Sequence, residues 1–318
     1  MARYDYWPRF GLDNYSLVLP YENTFNSEES TTWMQKNWLH SFSWSAAYLV
    51  FIFSAHKYME SRKPFSLELL LFFWNAGLAI FSILGFLRMT PEWLWSVSSP
   101  NSFSYSVCVA SFAQGVSGFW TELFAMSKVV ELGDTVFIIA RKRPLLFLHW
   151  YHHITVLVYT WHAYKDHTAS GRWFIWMNYG VHAFMYSYYA FRSLKLRTPK
   201  SVAMVITILQ ISQMVAGVII GVTVFRIKSS GGACQQTWEN LGLNMFVYFT
   251  YFLLFCNFFY HTYLKQNNRY AVAVDKKETD TTRVTVASDT VAKESENNNE
   301  PKANGAGVAT RRRVQKAD

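Results

Sequence analysis

His149-Trp150-Tyr151-His152-His153 lies between two apolar flanks, Leu145–Leu148 and Ile154–Tyr159. In a helix, positions i, i+3 and i+4 fall on one side, so the spacing gathers three imidazoles on a single face. The same run is long and greasy enough to enter a bilayer. Polar groups there turn toward the protein interior and mark substrate or ion paths. The reading of this stretch therefore decides between a buried helix of a soluble protein and a membrane helix that carries chemistry.

Working outward, the rest of the chain answers that question. A membrane helix needs about 20 mostly apolar residues to cross about 30 Å of hydrocarbon. Seven runs qualify: 38–56, 65–87, 114–140, 145–163, 172–191, 202–225 and 241–264. The third is the weakest, because Lys128, Glu131 and Asp134 interrupt it. One such run fits a soluble core, but seven in succession with short basic connectors do not. Hydrophobic residues make up 51% of the chain, against 16% charged. The mean hydropathy of only +0.03 reflects two polar ends. The expected fold is an all-α membrane protein with seven transmembrane helices. It divides into an N-terminal segment (1–37), a helical domain (38–264) and a polar tail (265–318). The tail has few aromatics and many Asn, Thr, Glu and Lys residues, a composition that cannot bury enough surface to fold.

Connector charge sets the expected orientation. One set of loops holds Lys57, Arg62 and Lys63, then Arg141, Lys142 and Arg143, then Arg192, Lys195, Arg197 and Lys200. The other set holds Arg88, Lys165, Arg172, Arg226 and Lys228. The richer set belongs in the cytosol, which places the N-terminus outside or in a lumen and the C-terminus in the cytosol. The first 37 residues contain no signal-peptide apolar core. Asn14-Tyr15-Ser16 is an N-glycosylation sequon on the lumenal side. Cys108 and Cys234 fall on that same oxidising side, so they are expected to pair, whereas Cys256 lies within the seventh run. Arg311-Arg312-Arg313 and Lys316 give the tail a basic end suited to anionic lipid or a retrieval signal. The net charge of +9 comes from cytosolic loops and the tail, and no nucleic-acid motif accompanies it.

Polar residues within the runs gather at one depth. Run three brings Lys128, Glu131, Asp134 and Thr135, and run four brings His149, His152 and His153. Run five brings Asn178, His182 and Tyr186, and run six brings Gln210 and Gln213. Four helices thus offer polar groups to one region, the mark of a site. His40, His56, His162, His167 and His261 lie near run ends, where water reaches them, and are given no role. Imidazoles serve either as metal ligands or as nucleophiles and bases. A zinc site needs few ligands; a di-iron centre needs more histidines than this depth offers. A seven-helix receptor or carrier is the non-enzymatic alternative.

Several segments together resemble the very-long-chain fatty acid elongase family over about residues 35–265. They are Lys128-Val-Val-Glu131-Leu-Gly-Asp134-Thr135, Phe147-Leu-His149-Trp-Tyr-His152-His153, Met177-Asn178 through His182 to Tyr189, and Thr207-Ile-Leu-Gln210-Ile-Ser-Gln213. The Trp-Tyr pair followed by Ile-Thr-Val-Leu resembles the branch that extends saturated and monounsaturated C12–C16 chains. The resemblance implies six of seven helices forming an inverted barrel around a closed acyl tunnel in the endoplasmic-reticulum membrane. It implies condensation of acyl-CoA with malonyl-CoA to 3-oxoacyl-CoA, CO2 and CoA, with no metal and no cofactor. Its expected partners are the two CoA substrates, membrane lipid, the other enzymes of the cycle and a second copy of the chain. It casts His152 as nucleophile, with His149, His153 and His182 as proton partners; the competing version keeps His152 as a base and joins both substrates in one step. Asn178, Gln210 and Gln213 would hold carbonyl oxygens. Lys128, Glu131, Asp134 and Tyr186 would order the site, and Arg141, Lys142 and Arg143 would meet CoA phosphates at the mouth. None of Cys108, Cys234 and Cys256 lies near the box, which fits an imidazole nucleophile.

Overall fold

The computed structural model describes residues 10–98 and 102–265. Nearly all of the 265–318 tail, with Arg311–Arg313 and Lys316, lies outside the described residues, as do residues 1–9. The chain divides into two compact units, the first ending at Tyr260 and the second starting at His261.

Among the described residues there are helices and no strands. A short turn α1 (Pro20–Asn23) and α2 (Ser27–Asn37) precede the long helices. The Asn26 side chain caps α2 by accepting from the amides of Glu28 and Glu29. Then come α3 (His40–Glu60), α4 (Glu68–Ser98) and the short α5 (Ser102–Cys108). Next are α6 (Gly115–Val130), α7 (Asp134–Ala140), α8 (Phe147–Lys165) and α9 (Gly171–Ser193). The last are α10 (Lys200–Ser229) and α11 (Trp238–Phe259), the latter running on into a π-helical turn, Tyr260–Leu264.

Each of the seven apolar runs is helical. The third is two helices, because a 3-10 turn at Glu131–Gly133 separates α6 from α7. Three helices are long and apolar enough to cross a membrane by length and composition: Glu68–Ser98, Lys200–Ser229 and Trp238–Leu264. The distribution of polarity points the same way for the bundle as a whole. Large apolar side chains face outward, among them Val50, Phe73, Ile80, Ile219 and Phe246, while Lys128, Glu131, Glu92 and Arg172 are buried. That is inverted relative to a water-soluble domain. The chain is a helical membrane protein.

α4 and α9 form the most extensive helix pair. A Cβ on Gly85 would stand 2.4 Å from the Tyr179 ring, so only glycine lets the two backbones approach there. Small residues commonly serve helix contacts in this way, where lipid gives no hydrophobic drive for association.

The end of the bundle remote from the histidine box is tied by several polar links. Cys108 and Cys234 form a disulfide, joining the end of α5 to the α10–α11 loop. Arg172, expected as an exposed connector charge, is instead fully buried against a fully buried Glu92. Its other donors reach the Ser106 carbonyl and the Ser111 hydroxyl. Arg88 likewise pairs with Glu22 of the N-terminal segment, at 2.8 and 2.5 Å. Burial alone would raise the Glu22 carboxyl. Hydrogen bonds from Arg88, the Leu19 amide and Trp120 outweigh it and hold the group below its ordinary 4.5. Two histidines set aside as wetted are in fact partnered. His162 is buried and meets Asn240 Oδ1 at 3.0 Å. His167 meets Thr31, and burial, opposed by Asp166, lowers it to about 4. Asn14 is exposed at the end of a 3-10 turn, Leu12–Asn14.

Candidate functional site

The break in the third run builds the site. In a continuous helix Lys128, Glu131, Asp134 and Thr135 would share one flank. The 3-10 turn instead redistributes them toward several neighbours. Such irregular backbone at membrane depth is tolerated where protein buries it.

Lys128 Nζ donates to Glu131 Oε1 at 2.7 Å, with both side chains buried. It also donates to Asn178 Oδ1 of α9 at 3.2 Å and lies 4.1 Å from the Phe124 ring centroid. The Ser127 hydroxyl donates to the same Glu131 oxygen at 2.9 Å. With Lys128 on its carbonyl oxygen, the Asn178 amide turns its NH2 group to His182 Nε2 at 3.3 Å. An amide NH2 only donates, so His182 Nε2 accepts there and the ring proton sits on Nδ1. Glu131 Oε2 is buried with no hydrogen-bond partner among the described residues.

Asp134 anchors a second branch. Trp74 Nε1 of α4 donates to Oδ1 at 2.6 Å, and the Tyr186 hydroxyl of α9 donates to Oδ2 at 2.8 Å. The Tyr186 ring meets the His182 ring edge-on at 5.3 Å. Gly133 makes room for this: a Cβ there would stand 2.7 Å from the Trp74 ring.

Thr135 anchors the third branch. Its hydroxyl lies 2.9 Å from His149 Nε2 of α8 and 2.7 Å from the Tyr48 hydroxyl of α3. The His149 and His153 rings meet edge-on at 4.4 Å, and those of His152 and His153 at 5.5 Å. His153 is buried, and its Nδ1 has no partner among the described residues. The Tyr251 ring of α11 lies 4.9 Å from the His152 ring, and its hydroxyl donates to the His152 carbonyl at 3.2 Å. His182, Lys128, Glu131 and His149 stand within electrostatic reach of His152.

The structure thus joins Lys128, Glu131, Asn178 and His182 by hydrogen bonds, sets Tyr186 and Asp134 beside His182, and links the α8 histidines to the same broken run through Thr135. Gln210 and Gln213 stand apart from it. Gln210 Nε2 rests 3.4 Å from Met185 Sδ, and Gln213 is buried beside Tyr248. Arg141, Lys142 and Arg143 follow α7 directly, ahead of the box. Lys142 Nζ donates to the carbonyls of Glu60 and Arg62 at 3.0 and 3.1 Å, tying the mouth to the end of α3. Sequence reasoning missed Tyr48, Trp74 and Tyr251. Among the described residues, no three His, Cys, Asp or Glu side chains are gathered as metal ligands.

One helical turn from Lys128 and Asn178, Phe124, Phe174 and Ile175 line a small apolar cavity of about 50 Å³, with Thr121, Tyr159 and Phe112. A larger cavity of about 420 Å³ opens at the far end of α8, among Ser27, Thr31, Gln114, His167 and Gln235. It contains none of the expected site residues.

Residues 33–271 match the family described as "ELO: GNS1/SUR4 family". "Putative fatty acid elongase 3" of Caenorhabditis elegans is 63% identical over 320 residues, covering 100% of both chains. "Very long chain fatty acid elongase 6" of Homo sapiens is 45% identical over 245 residues, 77% of this chain and 92% of its own. "Very long chain fatty acid elongase 3" of Mus musculus is 44% identical over 257 residues, 80% and 93% of the two chains.

Proposed function

We propose a mechanism from one premise: the chain belongs to the ELO: GNS1/SUR4 family and is a fatty acid elongase, the enzyme of the condensing step. Acyl-CoA and malonyl-CoA are its substrates. The route is ping-pong through His152. The imidazole nitrogen attacks the thioester carbonyl, the C–S bond breaks, and CoA leaves as the thiol with the ring proton. Malonyl-CoA then enters and loses CO2, and the electrons of the broken C–C bond form an enolate. The enolate carbon attacks the acyl-imidazole, the C–N bond breaks as a neighbouring imidazole returns a proton taken up from solvent to the His152 ring, and 3-oxoacyl-CoA departs.

The observations that support this reading are three imidazoles in contact on α8, with His149 bonded to Thr135, and a buried lysine–carboxylate pair linked through Asn178 to His182. His149, His153 and His182 hold and return the protons of these steps. Asn178 keeps His182 Nε2 as an acceptor, which suits a ring that takes a proton during turnover. Lys128, Glu131, Asp134 and Tyr186 hold the site in shape. Gln210 and Gln213 bind carbonyl oxygens of the substrates after moving from their present partners. No cofactor takes part. Arg141, Lys142 and Arg143 meet CoA phosphates, and the acyl chain passes Phe124 toward the apolar cavity.

All seven helical runs span the membrane, six of them as an inverted barrel around that path. The enzyme resides in the endoplasmic reticulum with Asn14 lumenal and glycosylated and the tail cytosolic. It prefers saturated and monounsaturated C12–C16 acyl-CoA, and it works beside the other enzymes of the cycle and a second copy of itself. The test is turnover of purified chain with malonyl-CoA and an acyl-CoA series. His152→Ala should abolish 3-oxoacyl-CoA formation while still binding acyl-CoA. Retained turnover in that variant would overturn the assignment.

A further inference from the structure

Tyr48 of the first long helix, α3, hydrogen-bonds Thr135, which is itself bonded to His149 of the histidine box. Tyr48 is 5% exposed and Thr135 is fully buried, so neither hydroxyl is open to bulk water. The line Tyr48 Oη, Thr135 Oγ1, His149 Nε2 has separations of 2.7 and 2.9 Å. Three proton arrangements fit those positions. In the first, Tyr48 donates to Thr135, Thr135 donates to His149 Nε2, and the ring proton of His149 lies on Nδ1. In the second, His149 Nε2–H donates to Thr135, and Thr135 donates to Tyr48. In the third, Thr135 accepts from both Tyr48 and His149 Nε2–H, and its own proton finds no acceptor among the described residues.

The second arrangement leaves the phenol proton of Tyr48 unused. Among the described residues no other acceptor is within hydrogen-bond distance of that hydroxyl. A buried donor without an acceptor carries the full desolvation penalty. The first arrangement alone uses both hydroxyl protons, and His149 Nδ1 is not among the buried atoms left without a partner, so it is favoured. We propose that Tyr48 is a positioning residue that fixes His149 in the Nδ1–H form through Thr135, and thereby sets the rate of condensation.

The consequence for the reaction rests on the role given to His149 above. Its ring packs against His153, which in turn packs against His152. The other tautomer moves the His149 ring proton from Nδ1 to Nε2 and so changes the charge distribution that the neighbouring rings meet. Tyr48→Phe keeps the ring in the apolar cluster that Trp150 and Ile154 pack against, so substrate binding is expected to be unchanged.

The test combines two readouts on Tyr48→Phe in lipid nanodiscs. The first is the 15N shift of His149 in histidine-labelled protein, assigned by difference with His149→Gln. Wild type should show an unprotonated Nε2, and Y48F a mixture of the two tautomers. The second is steady-state kinetics, where kcat should fall roughly fivefold to tenfold at unchanged KM, the scale of one lost hydrogen bond. An unchanged Nε2 signal in Y48F would overturn the proposal. A shifted tautomer with unchanged kcat would overturn its link to rate, and with it the catalytic role of His149 rather than the hydrogen-bond line. If Y48F does not fold, Thr135→Val removes the same link in isosteric form and is read by the same two outcomes.

Discussion

Glu92→Gln removes one charge and almost no volume at the most deeply buried ion pair of the chain. Arg172 Nε and Nη2 each donate to a different Glu92 oxygen at 2.8 Å. Nη1 donates to the Ser106 carbonyl and Nη2 also to Ser111 Oγ, both at 2.6 Å. Ser111 in turn donates to Glu92 Oε1 at 3.0 Å. Both charged side chains are 0% exposed, so no solvent screens the change. Glutamine keeps one acceptor but sets an NH2 group against a guanidinium donor. Breaking a buried pair by removing one partner costs about 3–5 kcal/mol. For a domain of this size each kcal/mol moves the melting midpoint by about 2–4 °C, so the expected fall is roughly 10 °C. The assay is thermal unfolding of detergent-purified protein, run on E92Q, E92M, R172M and the E92M/R172M double variant. Removing both charges should recover most of the loss, apart from about 1–3 kcal/mol for the stranded Ser106 carbonyl and Ser111. An E92Q midpoint within about 2 °C of wild type would refute the reasoning. So would a double variant whose loss is simply the sum of the single ones.

Three further outcomes follow from other parts of the molecule. Gly133→Ala places a Cβ 2.7 Å from the Trp74 ring, so Trp74 must leave Asp134. Turnover should fall at least tenfold, the scale of a misplaced site, with the helical content kept by circular dichroism. Arg141→Glu and Arg143→Glu should raise the KM for acyl-CoA more than they lower kcat. An unchanged KM in both would remove the basic residues from substrate binding. The folded-state pKa of Glu22 is depressed, so its contribution is complete above its unfolded value of 4.5 and is lost as pH falls below that. The melting midpoint should drop on acidification past that point in wild type and change less in Glu22→Gln. Parallel acid profiles for the two proteins would contradict the assignment.

The sequence exposed the helical runs and the histidine box because both are periodic or dense signals. It also exposed Lys128, Glu131 and Asp134, since charges inside an apolar run stand out at once. Their consequence was hidden. Whether such a run stays one helix or breaks into α6 and α7 depends on partners from α4 and α9, which lie far away in the chain. Tyr48, Trp74 and Tyr251 were illegible for the opposite reason. With 19 Tyr and 13 Trp in the chain, one aromatic on a greasy helix carries no distinguishing mark. Arg172 misled because a basic residue at a run end normally reports topology, and only the tertiary fold brings Glu92 to it. Gln210 and Gln213 were visible as polar residues on α10, yet their present neighbours are Met185 and Tyr248 rather than histidines.

The central claim is that an acyl group rests on His152 between two half-reactions. It is tested most directly by mixing the purified chain with palmitoyl-CoA and no malonyl-CoA, then following released CoA and intact protein mass. The account expects one equivalent of CoA and a matching acyl adduct. The adduct should map to His152, be absent in His152→Ala, and be consumed on adding malonyl-CoA to give 3-oxoacyl-CoA. Condensation that proceeds with no adduct, and with no CoA released before malonyl-CoA arrives, would contradict it and leave His152 as a base in a single-step reaction.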